Sequence, residues 1–125
     1  RMGVVVSPGT TQLAPKDLAY RIEASKATAV ITDEGDGAVL MVGHMNAEAL
    51  AKSLETRTAV FFSRSRQRLW QKGESSGNVL HIVDMRIDCD QDAIWIIAKP
   101  QGPSCHTGAR SCFYRRINKD GLEPV

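Results

Sequence analysis

The sequence predicts an α+β domain that is mostly β, a mixed or antiparallel sheet carrying one prominent helix. Three observations predict it. Short runs rich in β-branched and aromatic residues recur from Ala27 onward, separated by Gly, Pro, Asp and Ser. Ala47 to Glu55 alone reads as a clear helix. A length of 125 residues, 42% hydrophobic and 24% charged, suits one globular domain with a single core.

Taken in order, residues 1–26 read as a variable lead-in, punctuated by Ser7-Pro8-Gly9-Thr10-Thr11 and Ala14-Pro15. Lys16 to Lys26 fits a short helix, and Arg1 ahead of Met2 reads as a cloning remnant. The domain proper is expected over residues 27–117. Ala27 to Thr32 and Ala38 to His44 are strands joined by the turn Asp33-Glu34-Gly35-Asp36-Gly37. Asn46 is a helix N-cap, Met45 precedes it, and Leu50 and Leu54 fall on one helix face. Thr58 to Ser63 is a strand, followed by a basic segment from Arg64 to Lys72 that closes in the loop Gly73 to Gly77.

Asn78 to Cys89 is the longest strand expected. Simple alternation puts Val79, His81, Val83, Met85, Ile87 and Cys89 on one face and Asp84, Arg86, Asp88 and Asp90 on the other. Cys89 is therefore expected in the core or at an interface, with the aspartates directed away from it. Ala93 to Lys99 is a buried strand, Pro100 to Arg110 an irregular loop and Ser111 to Ile117 a last strand. Residues 118–125 are expected to be a loose tail.

The formal net charge of +2 and a pI of 8.6 are too mild to indicate a nucleic-acid partner. No apolar run approaches the ~20 residues that span a bilayer. Val4-Val5-Val6, cut short by Ser7-Pro8-Gly9, does not make a signal peptide. The expectation is a cytoplasmic chain with reduced thiols, for which an odd count of three cysteines points to metal or redox chemistry.

Those thiols fall in two stretches, Asp88-Cys89-Asp90-Gln91-Asp92 and Ser104-Cys105-His106-Thr107-Gly108-Ala109-Arg110-Ser111-Cys112. The spacing lacks any C-x-x-C knuckle, which excludes the structural zinc-finger patterns. Three protein ligands with one open position is the arrangement of a catalytic zinc. The competing reading is three buried cysteines acting as small hydrophobes. The polar, Gly-containing loop around Cys105 and Cys112 favours the metal. Asp88, Asp90 and Asp92 offer oxygen ligands for Mg²⁺, or are solvated turn residues. Arg64, Arg66 and Lys72, with Ser63, Ser65, Ser75, Ser76 and the backbone amides from Gly73 through Glu74 to Gly77, can cradle phosphates, with Trp70 stacking on a base; the alternative is a solvated strand with Trp70 in the core. His106 is the candidate proton carrier.

Beyond these separate signals, Met45-Asn46-Ala47-Glu48-Ala49-Leu50, Ser63-Arg64-Ser65-Arg66, Trp70 to Asn78, Asp88 to Asp92, Gly102 to Gly108 and Ser111-Cys112-Phe113-Tyr114 occur in one order along the chain. Together they closely resemble the phosphoribosyl-AMP cyclohydrolase family of histidine biosynthesis. The resemblance implies hydrolysis of the N1–C6 bond of N1-(5-phosphoribosyl)-AMP by a zinc-activated water. It implies one Zn²⁺ per active site, bound by Cys89 of one chain and Cys105 and Cys112 of the other, and Mg²⁺ on Asp88, Asp90 and Asp92. It also implies an intertwined homodimer acting on a small molecule, with neither nucleic acid nor membrane as partner. The enzyme is expected to be monofunctional, without the pyrophosphatase domain that some homologues carry in fusion. His44 stands where the family pattern leads one to expect an aromatic residue, and the lead-in has no counterpart in the resemblance. Rival readings are a zinc-stabilised RNA-binding module using Arg64 to Lys72 with Arg115-Arg116, and a cysteine-nucleophile enzyme pairing Cys105 or Cys112 with His106.

Overall fold

The computed structural model describes residues 27–125, so the expected lead-in and its short helix lie outside the described residues. Strand β1 (Thr28–Asp33) turns into β2 (Val39–His44). Two aspartates shape that turn: Asp33 Oδ1 accepts from Gly35 N at 2.8 Å and Asp36 Oδ1 from Ala38 N at 3.1 Å.

Helix α1 (Ala47–Thr56) begins where its cap predicts, with Asn46 Oδ1 accepting from Ala49 N at 2.8 Å. It ends at Arg57, whose φ of 59° lets its N–H reach Ser53 O. The buried face is Ala49, Leu50 and Ser53, not the expected Leu50 and Leu54, because Leu54 sits on the flank and is 50% exposed. Ser53 is the polar hinge of this packing. Its hydroxyl accepts from Val60 N at 2.9 Å and lies 3.2 Å from Val60 O, tying the helix to the next strand.

That strand, β3 (Val60–Ser63), pairs antiparallel with β4 (Arg68–Gln71). β4 falls within the segment expected to be basic and not a strand; the hairpin forms because Gln67 adopts a φ of 54° and its side-chain amide caps Arg64 O at 2.7 Å. Strands β5 (Leu80–Ile87) and β6 (Ala93–Pro100) complete a four-stranded sheet in the order β2-β1-β6-β5. β1 and β6 run parallel and the other pairs antiparallel, so the sheet is mixed, as expected.

Two bulges decide which side chains enter the core. On β5 the register slips between Ile82 and Asp84, leaving Val83 as an extra residue. Leu80 and Ile82 point inward before it, and Met85 and Ile87 pack on the core after it. The unbroken alternation expected for this strand is therefore wrong: Val83 is exposed, and inward and outward positions exchange across the bulge. On β2 the corresponding slip lets the neighbours Leu40 and Met41 both be buried. The core they share with Ala29, Ile31, Ile94, Ile96, Ala98 and Phe61 lies between the sheet, α1 and the β3–β4 hairpin.

The C-terminal end also differs from expectation. Ser111 to Tyr114 is not strand, and the expected loose tail is half of a hairpin, β7 (Arg115–Asn118) with β8 (Gly121–Pro124). Asn118 Oδ1 accepts from Asp120 N at 2.8 Å to close its turn. No helix among the described residues is long and apolar enough to cross a membrane.

Replacing Ser53 by Ala removes both contacts to Val60 and leaves a buried N–H without a partner. The expected cost is about 1–3 kcal/mol, read as a lower denaturant midpoint at unchanged slope. A variant as stable as the parent would show that Ser53 does not join helix to hairpin.

Candidate active-site clefts

The loop after β6 is fastened at both ends and across its middle. Ser104 N and Cys105 N donate to Arg110 O and Ala109 O, each at 3.1 Å, folding the loop on itself. Cys112 N donates to Leu40 O at 2.8 Å and Ser111 Oγ to Val39 O at 2.7 Å, hanging its far end on the outer edge of β2. Between these points the Arg110 guanidinium reaches Asp33 Oδ2 at 2.9 Å and Asp36 Oδ1 at 2.9 Å. The amide of Gly35 and then Arg110 hold the Asp33 carboxyl below the usual range; Arg110 does the same for Asp36.

The fold brings Cys105 and Cys112 to the wall of one cleft, near enough for each to influence the other's titration. Cys105 is buried, and the Thr107 hydroxyl, which donates to its sulfur at 3.0 Å, lowers its pKa. Burial raises that of Cys112, as does the neighbouring Cys105, while the positive charge of Lys72 opposes the rise. The pair sits in a cleft of about 380 Å³, whose opposite wall is Trp70, Lys72, Gly73, Glu74, Ser75 and Ser76. His106 also lines it and is exposed.

That opposite wall is a tight loop. Gly73 has a φ of 89°, and a Cβ there would come within 2.6 Å of the Asn78 and Val79 backbone, so only glycine fits. Gly77 N returns to Gly73 O at 2.8 Å and Lys72 Nζ donates to Asn78 O at 3.3 Å. Ser104, which sequence reasoning passed over, lines the same cleft with its hydroxyl buried and unpartnered among the described residues.

Ser63, Arg64, Ser65 and Arg66 are elsewhere. With His44 and Arg68 they line a second cleft of about 400 Å³, and Trp70 lines both. Trp70 is half-buried against Phe61, ring centroids 5.5 Å apart. It thus combines the core role and the exposed face that sequence reasoning set as alternatives.

Cys89 and the aspartates occupy the turn between β5 and β6. Asp88, Asp90 and Asp92 bring ligand oxygens within 4.8 Å of one another. Partial desolvation pushes the Asp88 carboxyl up, but the amides of Ala93 and Asp92, each 3.1 Å from its Oδ1, outweigh that and lower it. The Asp88 charge in turn raises Asp92. Cys89 is exposed here, outside the core of its own chain.

The sheet register fixes how far Cys89 lies from the other thiols. Thr28, Ala93 and His44 are level at one end, next to the acidic turn, while Thr32, Ile97 and Val39 are level toward the other. Cys112 hangs by Leu40 near that second end, on the opposite edge. Two to three inter-strand steps, roughly 10–14 Å, and about four residues of strand, roughly 13 Å, separate the two corners. Among the described residues, the three sulfurs form no single group that could hold one ion.

Comparison with known proteins bears on this arrangement. The family model for phosphoribosyl-AMP cyclohydrolase matches residues 41–114, which include both clefts and the acidic turn. The chain is 67% identical over 98 residues to the phosphoribosyl-AMP cyclohydrolase of Rhizorhabdus wittichii, covering 78% of this chain and 79% of that one. It is 59% identical over 104 residues to the enzyme of that name from Rhodopseudomonas palustris strain HaA2, covering 82% and 70%. With that of Zymomonas mobilis it shares 54% identity over 103 residues, covering 82% and 83%.

Arg110 supports the thiol loop through two carboxylates whose folded pKa values are depressed. Their contribution to stability is present above the ordinary value of 3.8 and lost as pH falls through the folded values. Arg110→Ala is therefore expected to melt below the parent at neutral pH, the two curves converging as pH drops below about 4. An equal difference at every pH would assign Arg110 a role other than pairing Asp33 and Asp36.

Proposed function

On the footing that this chain belongs to the phosphoribosyl-AMP cyclohydrolase family, we propose that it opens the adenine ring of N1-(5-phosphoribosyl)-AMP by hydrolysis at N1–C6, a step of histidine biosynthesis, with the help of Zn²⁺. The observation that carries the reading is the Cys105–Cys112 pair, held in a cleft beside the buried cation Lys72. Two neighbouring sulfurs, Cys105 with a lowered pKa and Cys112 with one raised by burial and by Cys105 against the opposing charge of Lys72, are a donor set that a thiophilic cation would hold as thiolates. Zn²⁺ held by these thiolates would supply the Lewis acidity that lowers the pKa of a water toward about 7.

The third thiolate is Cys89 of a second copy. The diagonal separation of the two corners within one chain supports this assignment. A two-fold axis that brings opposite corners of two copies together completes two equivalent sites. The sheet face away from the core supports it too, exposing Val42, Val83 and Trp95 in a surface that a second copy can cover. Asp88, Asp90 and Asp92 fit Mg²⁺: their oxygens converge, and the mutual repulsion that raises Asp92 is relieved by a divalent cation.

The chain's own groups account for the rest of the reaction. The exposed face of Trp70 supports the adenine ring, and Lys72, Arg64 and Arg66 offset the two phosphates. The hydroxyls of Ser63, Ser65, Ser75 and Ser76, the backbone of Gly73 to Gly77 and the fixed Glu74 shape the surround. His106 takes one proton from the attacking water and returns it to N1 as the C6–N1 bond breaks, while the remaining hydroxyl proton passes to the exocyclic nitrogen, leaving the carboxamide at C6. Reduced thiols require a reducing compartment, and the cytoplasm is the one the reading calls for.

The test is the absorbance change on ring opening of phosphoribosyl-AMP. Turnover is expected to vanish with a zinc chelator and return with Zn²⁺. Cys105→Ala is expected to lose more than about 100-fold, beyond what loss of a merely supporting residue costs. Turnover indifferent to chelation but abolished by alkylation would replace this reading with a cysteine nucleophile.

A further inference from the structure

Lys72 is 7% exposed, and its ammonium makes one hydrogen bond among the described residues, to Asn78 O at 3.3 Å. An ammonium has three donors, so beyond the contact to Asn78 O and the nearby Cys112 sulfur it keeps donors for a ligand. The cleft in front of it therefore favours an anion. Ser76, on the same wall, accepts from Asn78 N at 3.2 Å, which leaves its hydroxyl proton for a ligand.

The second cleft has its own anion-seeking groups. Arg64 and Arg66 project from the β3–β4 turn, and among the described residues neither is in an ion pair, whereas Arg68 pairs with Glu74 at 4.0 Å. Ser63 Oγ accepts from Arg66 N at 3.3 Å and lies 3.4 Å from Ser65 Oγ, so two hydroxyls stand beside the two guanidinium groups. Trp70 is the wall common to both clefts.

We infer that the two clefts are separate phosphoryl subsites for the two ends of one bisphosphate, each reading a different phosphate. The inference rests on the proposed reaction and deepens it. In that substrate C6, the carbon attacked, is bonded to N1, so the phosphoribosyl group on N1 stays close to the thiols. Its phosphate goes to Lys72 and Ser76, in the cleft that holds Cys105 and Cys112. N9 lies on the far side of the fused ring, so the phosphate of the AMP half leaves that cleft. It passes Trp70 and goes to Arg64 and Arg66, with His44 at the rim.

AMP, which carries the ring and only the distant phosphate, separates the two subsites. In titration calorimetry on the zinc-loaded protein, Arg64→Ala/Arg66→Ala is expected to weaken AMP about tenfold or more through loss of charge-assisted bonds. Lys72→Met and, independently, Ser76→Ala are expected to leave AMP within about twofold of the parent while lowering kcat/KM for phosphoribosyl-AMP about tenfold or more. Retained AMP binding also certifies that the buried-lysine variant is folded; should it not fold, Ser76→Ala decides. AMP weakened as much by Lys72→Met or Ser76→Ala as by the double arginine variant, or left untouched by the latter, would overturn the assignment. A parent protein inactive on phosphoribosyl-AMP would instead defeat the proposed reaction.

Discussion

The organisation of this molecule depends on a separation that its own sheet imposes. Cys112 is bound to the edge strand β2 at one end, and Cys89 follows β5 at the other end and the other side. A zinc ion holds its sulfurs at about 2.3 Å, so atoms that share one must lie within about 4 Å of each other. No side-chain rotation closes a gap several strands wide. Under the proposed zinc site, one chain offers two thiolates at one corner and one at the other, and a complete site takes two chains.

The cleft that holds Cys105 and Cys112 is prepared electrostatically. Lys72 is kept near Cys112 by a loop that only glycine at position 73 can close, and the Thr107 hydroxyl is already directed at the Cys105 sulfur. Arg110, bridging two carboxylates of the β1–β2 turn, joins the thiol loop to the sheet at the corner where Cys112 sits. Exposed ion pairs of this kind add only a modest amount to global stability. Their consequence here is local, in fixing where two sulfurs stand.

Much of the fold was legible because local chemistry and tertiary context agree. Asn46 and the turn from Asp33 to Gly37 fold as their side-chain hydrogen bonds dictate. What escaped was set at longer range or hidden by shortness. The bulge at Val83 depends on pairing with β6 and leaves no local mark, so strict alternation failed across it. β4 is four residues long and was masked by the charges around it. The hairpin at the C-terminal end did carry a signal, Asp120-Gly121 after Arg116-Ile117, that the reading of a loose tail overlooked.

The site was legible as a set of residue types but not as a geometry. Cysteines, aspartates and the Ser-Arg-Ser-Arg run all stood out as chemistry. Their division into two clefts around Trp70, the burial of Lys72 and the unpartnered Ser104 hydroxyl arise only when β4 folds back on β3 and the thiol loop closes over it. His44 is the clearest case: without the fold it is one histidine among three, and in the fold it borders the arginine cleft.

The claim at the centre, that each zinc site draws sulfur from two chains, can be put to one direct trial by mixing Cys89→Ser and Cys112→Ser chains. Each variant alone should be inactive. After unfolding together and refolding at equal amounts, half of the dimers are mixed and each contains one intact site, so about a quarter of parental activity should return. If the mixture stays as inactive as its components while mixed dimers demonstrably form, the three thiols do not combine across the interface, and the account of the site is wrong.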